Sequence, residues 1–175
     1  MITPKQFLEL ELNAGISPTN PEFVELARQT VNQILEYKDL TTIDYGAGTG
    51  VYSSELAKAG FNVVAQDVYK AHRDFMKETF LDLKVIAKPI KSDLMLFIEV
   101  AEHMTDIEIK AAIKTIDPKI ILFSSTSEKT ENDQDWGHIN IKSQRGWVVF
   151  WENMGYKIIN SLQLPTPWTI LLEKI

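Results

Sequence analysis

A chain of 175 residues, 45% hydrophobic and 24% charged, is long enough to form a globular domain with its own core. Its net charge of −6 at pH 7 argues against binding of nucleic acid through a broad basic surface, and the absence of cysteine excludes disulfides, thiolate metal sites and cysteine nucleophiles. Because there is no signal-peptide pattern and no apolar run near the roughly 18 residues of a membrane span, we expect a cytoplasmic protein with no membrane partner.

The N-terminal part of the chain is predicted to be helical. Residues 3–14 suit a short helix, and a turn follows it. Asn20 and Pro21 then form a helix start signal, because asparagine caps helix N-termini and proline suits the first helical position. Apolar residues recur after this signal at helical spacing, at Val24, Ala27, Val31 and Ile34. Residues 21–37 are therefore predicted to form an amphipathic helix.

From residue 41 onward, strand-like and helix-like segments alternate. The predicted strands are 41–45, 61–66, 84–87, 94–100, 119–124, 156–162 and 169–173. The predicted helices are 51–59, 70–80, 105–116 and 144–154. Such alternation with apolar strands is typical of a mostly parallel sheet that is covered on both faces.

The last two predicted strands are joined only by a short link around Pro165-Thr-Pro167, which cannot hold a crossover helix. They are predicted to pair as an antiparallel hairpin. We therefore predict an α/β fold that is Rossmann-like and doubly wound, with a mostly parallel seven-stranded sheet, a C-terminal antiparallel hairpin and helices on both faces. Ligands of such sheets bind beyond the carboxyl ends of the strands. The chemistry is expected just after Tyr45, Gln66, Val100 and Ser124.

The most informative motif is Thr42-Ile-Asp-Tyr-Gly-Ala-Gly-Thr-Gly50, at the end of the first predicted strand. Its glycines follow a G-x-G-x-G pattern, which differs from the G-x-G-x-x-G pattern that places a pyrophosphate at a helix N-terminus. The acid two residues before the first glycine would also repel a pyrophosphate. The motif therefore favours a cofactor with a positive charge and no phosphate, such as S-adenosylmethionine. The predicted contacts are Asp44, Gly46, Ala47, Gly48 and Gly50.

A second acid, Asp67, ends the second predicted strand, seventeen residues after Gly50. A carboxylate there can accept hydrogen bonds from both hydroxyls of a ribose. The alternative is a solvent-exposed helix N-cap, where aspartate is also favoured. Val68 is then predicted to lie against the adenine. Tyr52 is predicted to flank the methionine part of the cofactor, and a core or surface tyrosine is the alternative.

The order of these motifs resembles that of class I S-adenosylmethionine-dependent methyltransferases over roughly residues 40–175. The matching segments are Asp44-Tyr-Gly-Ala-Gly-Thr-Gly50, Val63-Val-Ala-Gln-Asp67 and Asp93-Leu-Met-Leu-Phe-Ile-Glu-Val-Ala-Glu-His-Met104. In that family the glycine loop cradles the amino acid part of the cofactor and the acid after the second strand holds the ribose. The end of the fourth strand, here Ile98 and Glu99, faces the reacting centre. The chain departs from the family in residues 84–90, which hold no acid to contact the adenine amino group.

The resemblance implies a single methyltransferase domain over residues 1–175, with an N-terminal helical segment at 1–40 and a cofactor-binding core at 41–175. The expected reaction is methyl transfer to an oxygen or nitrogen atom of a small molecule, and nucleic acid is not the expected substrate. His103 and His138 are the candidate bases. Two other classes stay open: a non-catalytic S-adenosylmethionine-binding regulatory subunit, and an NAD-dependent oxidoreductase, against which the glycine spacing argues.

A group of acids and histidines forms a candidate metal site. Glu99, Glu102 and His103 are spaced i, i+3 and i+4, which places them on one side if the chain turns helical there, and His138 follows the next strand at the same sheet edge. Such ligands suit Mg, Mn, Fe or Zn. The set resembles the metal motif of plant small-RNA 3′-end methyltransferases, and Glu-x-x-Glu-His also occurs in ubiquinone-pathway O-methyltransferases. Metal-assisted RNA 3′-end or other O-methylation is thus a further alternative.

The interpretation without a metal stays open beside it: Glu99 then lies near the cofactor, while Glu102 and His103 cap the next helix or contact the substrate.

Aromatic residues form a second pattern on the predicted helix 144–154. The residues at helical spacing there are Trp147, Phe150, Trp151 and Met154. We expect them to pack in the core rather than to form a substrate wall. Trp136, near His138, is the candidate for lining a substrate pocket.

Overall fold

A computed structural model describes residues 2–175 of the chain. The chain divides into two units, Met1–Ile90 and Lys91–Ile175. The single methyltransferase domain expected from the sequence stays a prediction.

The first unit combines helices with parallel strands. Its helices are α1 (Pro4–Asn13), α2 (Pro21–Asn32), α3 (Val51–Lys58) and α4 (Lys70–Thr79). Its strands are β1 (Thr41–Tyr45), β2 (Asn62–Gln66) and β3 (Val85–Ile86). The strand order is β3-β2-β1, and both pairings are parallel. This unit places the predicted glycine loop between β1 and α3.

Local signals set the starts of the two N-terminal helices. The Thr3 hydroxyl accepts a hydrogen bond from the Gln6 amide, and the Gln6 side chain accepts one from the Thr3 amide, which is a capping box. At α2 the Asn20 side chain accepts from the Glu22 amide at 3.1 Å. The predicted helix 21–37 was too long, since α2 ends at Asn32. Ile34 leaves the helical conformation and is fully buried, so tertiary packing rather than helical spacing places it.

The second unit contains the antiparallel hairpin. Its strands are β4 (Leu94–Ile98), β5 (Ile120–Ser124), β6 (Tyr156–Leu162) and β7 (Thr169–Lys174). Its helices are α5 (Asp106–Ile116), α6 (Asp133–Trp136), which was not predicted, and α7 (Gln144–Asn153). The strand order is β4-β5-β7-β6. The β4–β5 pairing is parallel, and β7 is antiparallel to both of its neighbours.

These strands confirm the predicted fold class, a Rossmann-like, mostly parallel seven-stranded sheet that ends in an antiparallel hairpin. Every residue of β5 is buried, as are Leu94–Phe97 of β4. Because successive side chains of a strand point to opposite faces, both faces of these strands are covered. In the described part of the chain, no helix has the length and apolar content of a membrane span.

The aromatic residues of α7 pack in the core, as expected. Trp147 and Trp151 are fully buried, and Phe150 is buried as well. The ring of Phe123 on β5 lies with its centroid 5.2 Å from that of Trp147 and 5.0 Å from that of Trp151, both edge-on. The prediction of core packing rather than a substrate wall is therefore confirmed for these residues.

Candidate active site

The glycine loop is fixed to the end of β2 by hydrogen bonds. The Ala47 amide donates to the Gln66 carbonyl at 2.8 Å, and the Gly50 amide donates to the Ala47 carbonyl at 2.8 Å. Gly50 has φ +79°, and a Cβ there would lie 2.7 Å from Cγ of Met76. Only glycine therefore suits this position, both for backbone conformation and for space.

Asp67 joins the glycine loop to the start of α4. Its Oδ2 accepts a hydrogen bond from the Gly48 amide at 3.0 Å, and its Oδ1 accepts one from the Tyr69 amide at 2.8 Å. The residue is buried, and Tyr69, not Asp67, holds the N-cap position of α4. Burial raises the pKa of Asp67, against the opposing effects of His72 and the two amides. The structure thus brings the predicted ribose acid against the predicted cofactor loop.

Asp44 is buried beneath the same loop. Its Oδ2 accepts a hydrogen bond from the Ser53 hydroxyl at 2.6 Å. Burial raises its pKa from 3.8 to about 6; the Ser53 hydrogen bond opposes this shift and the charge of Asp67 adds to it. A cation near Asp44 would favour its charged form. We call Asp44, Gly46–Gly50 and Asp67 the glycine-loop site.

Two predicted cofactor contacts flank this site differently. Val68 is 71% exposed, so its apolar side chain is open to a ligand. Tyr52 packs edge-on against Phe23 of α2, with ring centroids 5.8 Å apart. Sequence reasoning missed Gln66, whose side chain accepts from the Gly46 amide at 3.4 Å and donates to the Ala87 carbonyl at 3.0 Å. The available signal was a long polar side chain at the end of an apolar strand.

In the second unit, Glu102 is held by groups that follow β5. Its side chain accepts hydrogen bonds from the Ser125 hydroxyl at 2.8 Å and from the Thr126 amide at 3.3 Å, and it is 1% exposed. Its carbonyl accepts from the amides of Ile139 and Asn140. The buried carboxylate is thus fixed on both sides, and the loop that carries His138 is tied to it.

The two histidines predicted for the site lie together. The rings of His103 and His138 have centroids 4.9 Å apart. One ligand atom from each of Glu102, His103 and His138 lies within 4.8 Å of the others. His138 Nδ1 is 3.0 Å from an Asp133 oxygen; with that nitrogen as donor, Nε2 carries the lone pair. We call Glu102, His103 and His138 the Glu-His cluster.

Glu99 lies outside this set, because the chain is not helical there. After β4 ends, Glu99 takes a left-handed backbone conformation with φ +52°, and a short 3₁₀ turn covers Ala101–His103. Its Oε2 accepts from the Thr126 hydroxyl at 3.2 Å, whereas Oε1 is buried without a hydrogen-bond partner in the described part of the chain. Burial and the charge of Glu102 raise the pKa of Glu99 to about 7. Ile98, the last residue of β4, is half-buried.

The donor set of the Glu-His cluster fits a divalent metal. One carboxylate and two imidazoles within 4.8 Å are ligands that Zn, Fe or Mn accepts. The contact between His138 and Asp133 is of the kind that would orient this imidazole toward a metal ion. Trp136, the candidate pocket residue, ends α6 and is half-buried.

Sequence comparison finds relatives that are named ubiquinone biosynthesis O-methyltransferases. The protein from Rickettsia bellii is 27% identical over 126 residues, which cover 65% of this chain and 52% of that protein. The protein from Rickettsia akari is 26% identical over 153 residues, which cover 80% of this chain and 61% of that protein. The chain thus spans between about half and three fifths of the length of these relatives. No protein-family model matches the chain.

Structure comparison finds the same fold in solved methyltransferases. Magnesium protoporphyrin IX methyltransferase from Synechocystis PCC 6803, solved with S-adenosylhomocysteine, has a TM-score of 0.59 and 17% identity, with 85% of this chain and 83% of that chain covered. Human N-acetylserotonin methyltransferase, solved with S-adenosylmethionine, has a TM-score of 0.68 and 12% identity, with 98% and 56% covered. The resemblance to class I S-adenosylmethionine-dependent methyltransferases is therefore confirmed in both sequence and fold.

Proposed function

We propose that this protein is an S-adenosylmethionine-dependent methyltransferase that methylates an oxygen or nitrogen atom of a small molecule. The observation that carries this proposal is the hydrogen bond from the Gly48 amide to Asp67, which joins the glycine loop and the ribose acid in one buried site. Relatives named as O-methyltransferases support the reaction and favour oxygen as the acceptor.

The glycine-loop site suits the donor by charge. Asp44 and Asp67 are both buried, and burial raises the pKa of each, so a positively charged ligand stabilises their ionised forms. S-adenosylmethionine brings a sulfonium and an ammonium group and no phosphate. In this proposal Asp67 accepts hydrogen bonds from the ribose hydroxyls, and the exposed Val68 contacts the adenine.

Methyl transfer from a sulfonium needs alignment more than activation, because the leaving group is already positively charged. Fixing donor and acceptor in line supplies roughly 7–11 kcal/mol of barrier reduction in well-oriented systems. Removal of a proton from the acceptor adds roughly 10²–10⁴-fold where it is needed. The chain therefore needs to hold the cofactor rigidly, which the hydrogen-bonded loop does, and to handle one acceptor proton.

We assign the handling of that proton to the Glu-His cluster. Glu102, His103 and His138 would hold a divalent metal, which lowers the pKa of an acceptor hydroxyl when bound. The chain's own part is to fix the ligands: Ser125 and Thr126 orient the carboxylate, and Asp133 orients His138. If activity survives complete removal of metal by EDTA, the metal assignment is wrong, and His103 and His138 remain as bases.

A radiolabelled methyl-transfer screen tests the proposed function. Wild-type protein is expected to label a small-molecule hydroxyl or amine, with intermediates of ubiquinone biosynthesis in the panel beside peptides and RNA. Asp67→Ala should lose transfer at low S-adenosylmethionine and regain it at high concentration. Cofactor binding without transfer to any class would instead support a regulatory subunit, and label in RNA 3′ ends would support the RNA alternative.

A further inference from the structure

The last turn of α1 brings an acidic side chain against the glycine loop. Glu11 is largely buried, with 12% of its side chain exposed. A Cβ on Gly48 would lie only 3.1 Å from Glu11 Oε1, so this carboxylate oxygen lies beside the middle of the loop. The sequence motifs gave no role to this helix.

A buried histidine holds Glu11 in place. Nε2 of His72, on α4, is 2.7 Å from Glu11 Oε2, and the His72 side chain is 1% exposed. Burial alone would lower the pKa of His72, but the hydrogen bond to Glu11 and the charge of Asp67 outweigh it and raise the pKa. The imidazole also packs against two neighbouring rings, with its centroid 5.9 Å from that of Phe7 and 5.6 Å from that of Tyr69.

The two oxygens of Glu11 are used differently. Oε2 contacts the imidazole, whereas Oε1 lies on the side of Gly48, 3.1 Å from the position that a Cβ would take there. Across the ring, Nδ1 of His72 is buried without a hydrogen-bond partner among residues 2–175. A carboxylate that is fixed at one oxygen by a buried histidine, with its other oxygen beside a loop of backbone amides, is arranged to meet a ligand.

We propose that Glu11 is a further cofactor-binding residue that recognises a cationic group in the amino acid part of the cofactor, and that His72 is the positioning residue that holds it there. This rests on the proposed function, in which the glycine loop cradles that part of S-adenosylmethionine. A carboxylate at this place would repel a phosphate and attract either the ammonium or the sulfonium group. Both groups carry a positive charge, and the binding experiment below separates the ammonium from the sulfonium.

The test is calorimetric binding of three probes to wild-type protein and to Glu11→Gln. S-adenosylmethionine carries both cations, S-adenosylhomocysteine carries the ammonium only, and 5′-methylthioadenosine carries the adenosine and sulfur without either cation. Glu11→Gln is expected to weaken S-adenosylmethionine about 10- to 100-fold, as for loss of a hydrogen bond to a charged group, and to leave 5′-methylthioadenosine within about 2-fold. An equal loss for S-adenosylhomocysteine assigns the ammonium, and no loss assigns the sulfonium.

Matched variants separate recognition from stability. Glu9→Gln, on the same helix and 58% exposed, should leave all three affinities unchanged. His72→Phe should reproduce the charge-selective loss, and His72→Gln, which keeps a donor near the Nε2 position, should restore much of it. A merely structural histidine would weaken 5′-methylthioadenosine as strongly as S-adenosylmethionine.

Two results would overturn the proposal, and they differ from failure of the proposed function. If Glu11→Gln binds S-adenosylmethionine as wild type does, or loses 5′-methylthioadenosine equally, the carboxylate does not recognise the amino acid part. If wild-type protein binds none of the three probes, the proposed function itself is wrong and this inference falls with it.

Discussion

The glycine-loop site and the Glu-His cluster both bury acidic side chains, but they satisfy them differently. Asp67 accepts two backbone amides, and Asp44 accepts a hydroxyl, so the first site is hydrogen-bonded within itself. Beside the second, Glu99 keeps one carboxylate oxygen buried without a hydrogen-bond partner among the described residues, and two imidazoles lie together near a buried carboxylate. The first region is therefore fixed by backbone shape, whereas the second has donor atoms left for a ligand.

Because of this difference, we expect the two sites to depend on different things: the first on the shape of its loop and the second on a bound metal. A site built on backbone amides and glycine conformations should be sensitive to changes in loop shape and should form without any added ion. A site built on side chains from separate segments should tolerate changes in the backbone nearby and respond to metal and chelator. Three variants test whether the two regions differ in this way.

The largest expected effect is that of Gly50→Ala on stability. A left-handed backbone costs a non-glycine residue roughly 1–2 kcal/mol, and the clash of the new methyl with Met76 adds roughly 1–3 kcal/mol. Urea unfolding is expected to show a loss of roughly 2–5 kcal/mol. Gly60→Ala is the matched control, because Gly60 has φ +92° with open space around its Cβ position and should show only the conformational part. Equal losses would mean that the loop is not tightly packed.

The next effect is a pH dependence caused by Asp44. Its pKa is about 6 in the folded protein against an ordinary 3.8, so the folded state binds this proton more tightly than the unfolded state. Its contribution to stability is therefore fully present below about pH 4 and is lost as pH rises through about 6, up to about 3 kcal/mol in all. Relative to wild type, Asp44→Asn should become progressively more stable between pH 4 and pH 7 in urea unfolding. Parallel pH profiles of the two proteins would contradict the assignment.

The smallest expected effect concerns the Glu-His cluster. Asp133→Asn removes the charge that orients His138 and should weaken binding of Zn²⁺ or Mn²⁺ about 10- to 100-fold in calorimetry, the range for such outer contacts. Asp135→Asn, on the same short helix and exposed, serves as control. Unchanged affinity in Asp133→Asn would show that Asp133 does not orient a metal ligand. No metal binding by wild type would leave the cluster without a metal role, and the contrast between the two regions would then fail.

The glycine-loop site could be predicted from the sequence because its residues are contiguous or lie at the ends of strands. The glycine pattern and Asp67 follow predicted strands β1 and β2, and parallel strands bring their carboxyl ends to one edge. Gln66 and Glu11 were missed, since nothing local marks a strand glutamine as a loop anchor or an N-terminal helix acid as a neighbour of Gly48.

The Glu-His cluster and the neighbouring Glu99 could be predicted from the sequence only in part. The pairing of His103 with His138 was expected from the sheet edge they share, and the rings do lie together. The helical spacing assumed for Glu99 was wrong, because a glutamate with positive φ has no clear sequence signal. Likewise, the hydrogen bond of Glu102 to Ser125 depends on how the loop after β5 folds, which local propensity does not set.

The most direct test of the account is calorimetry of wild-type protein and Asp67→Ala with S-adenosylmethionine and with NAD. We predict that wild type binds S-adenosylmethionine and not NAD. We also predict that Asp67→Ala weakens binding of S-adenosylmethionine by about 100-fold or more, because the two hydrogen bonds from the ribose hydroxyls to a charged carboxylate are lost. Binding of NAD without S-adenosylmethionine, or equal affinity of wild type and Asp67→Ala for S-adenosylmethionine, would contradict the assignment of the glycine-loop site.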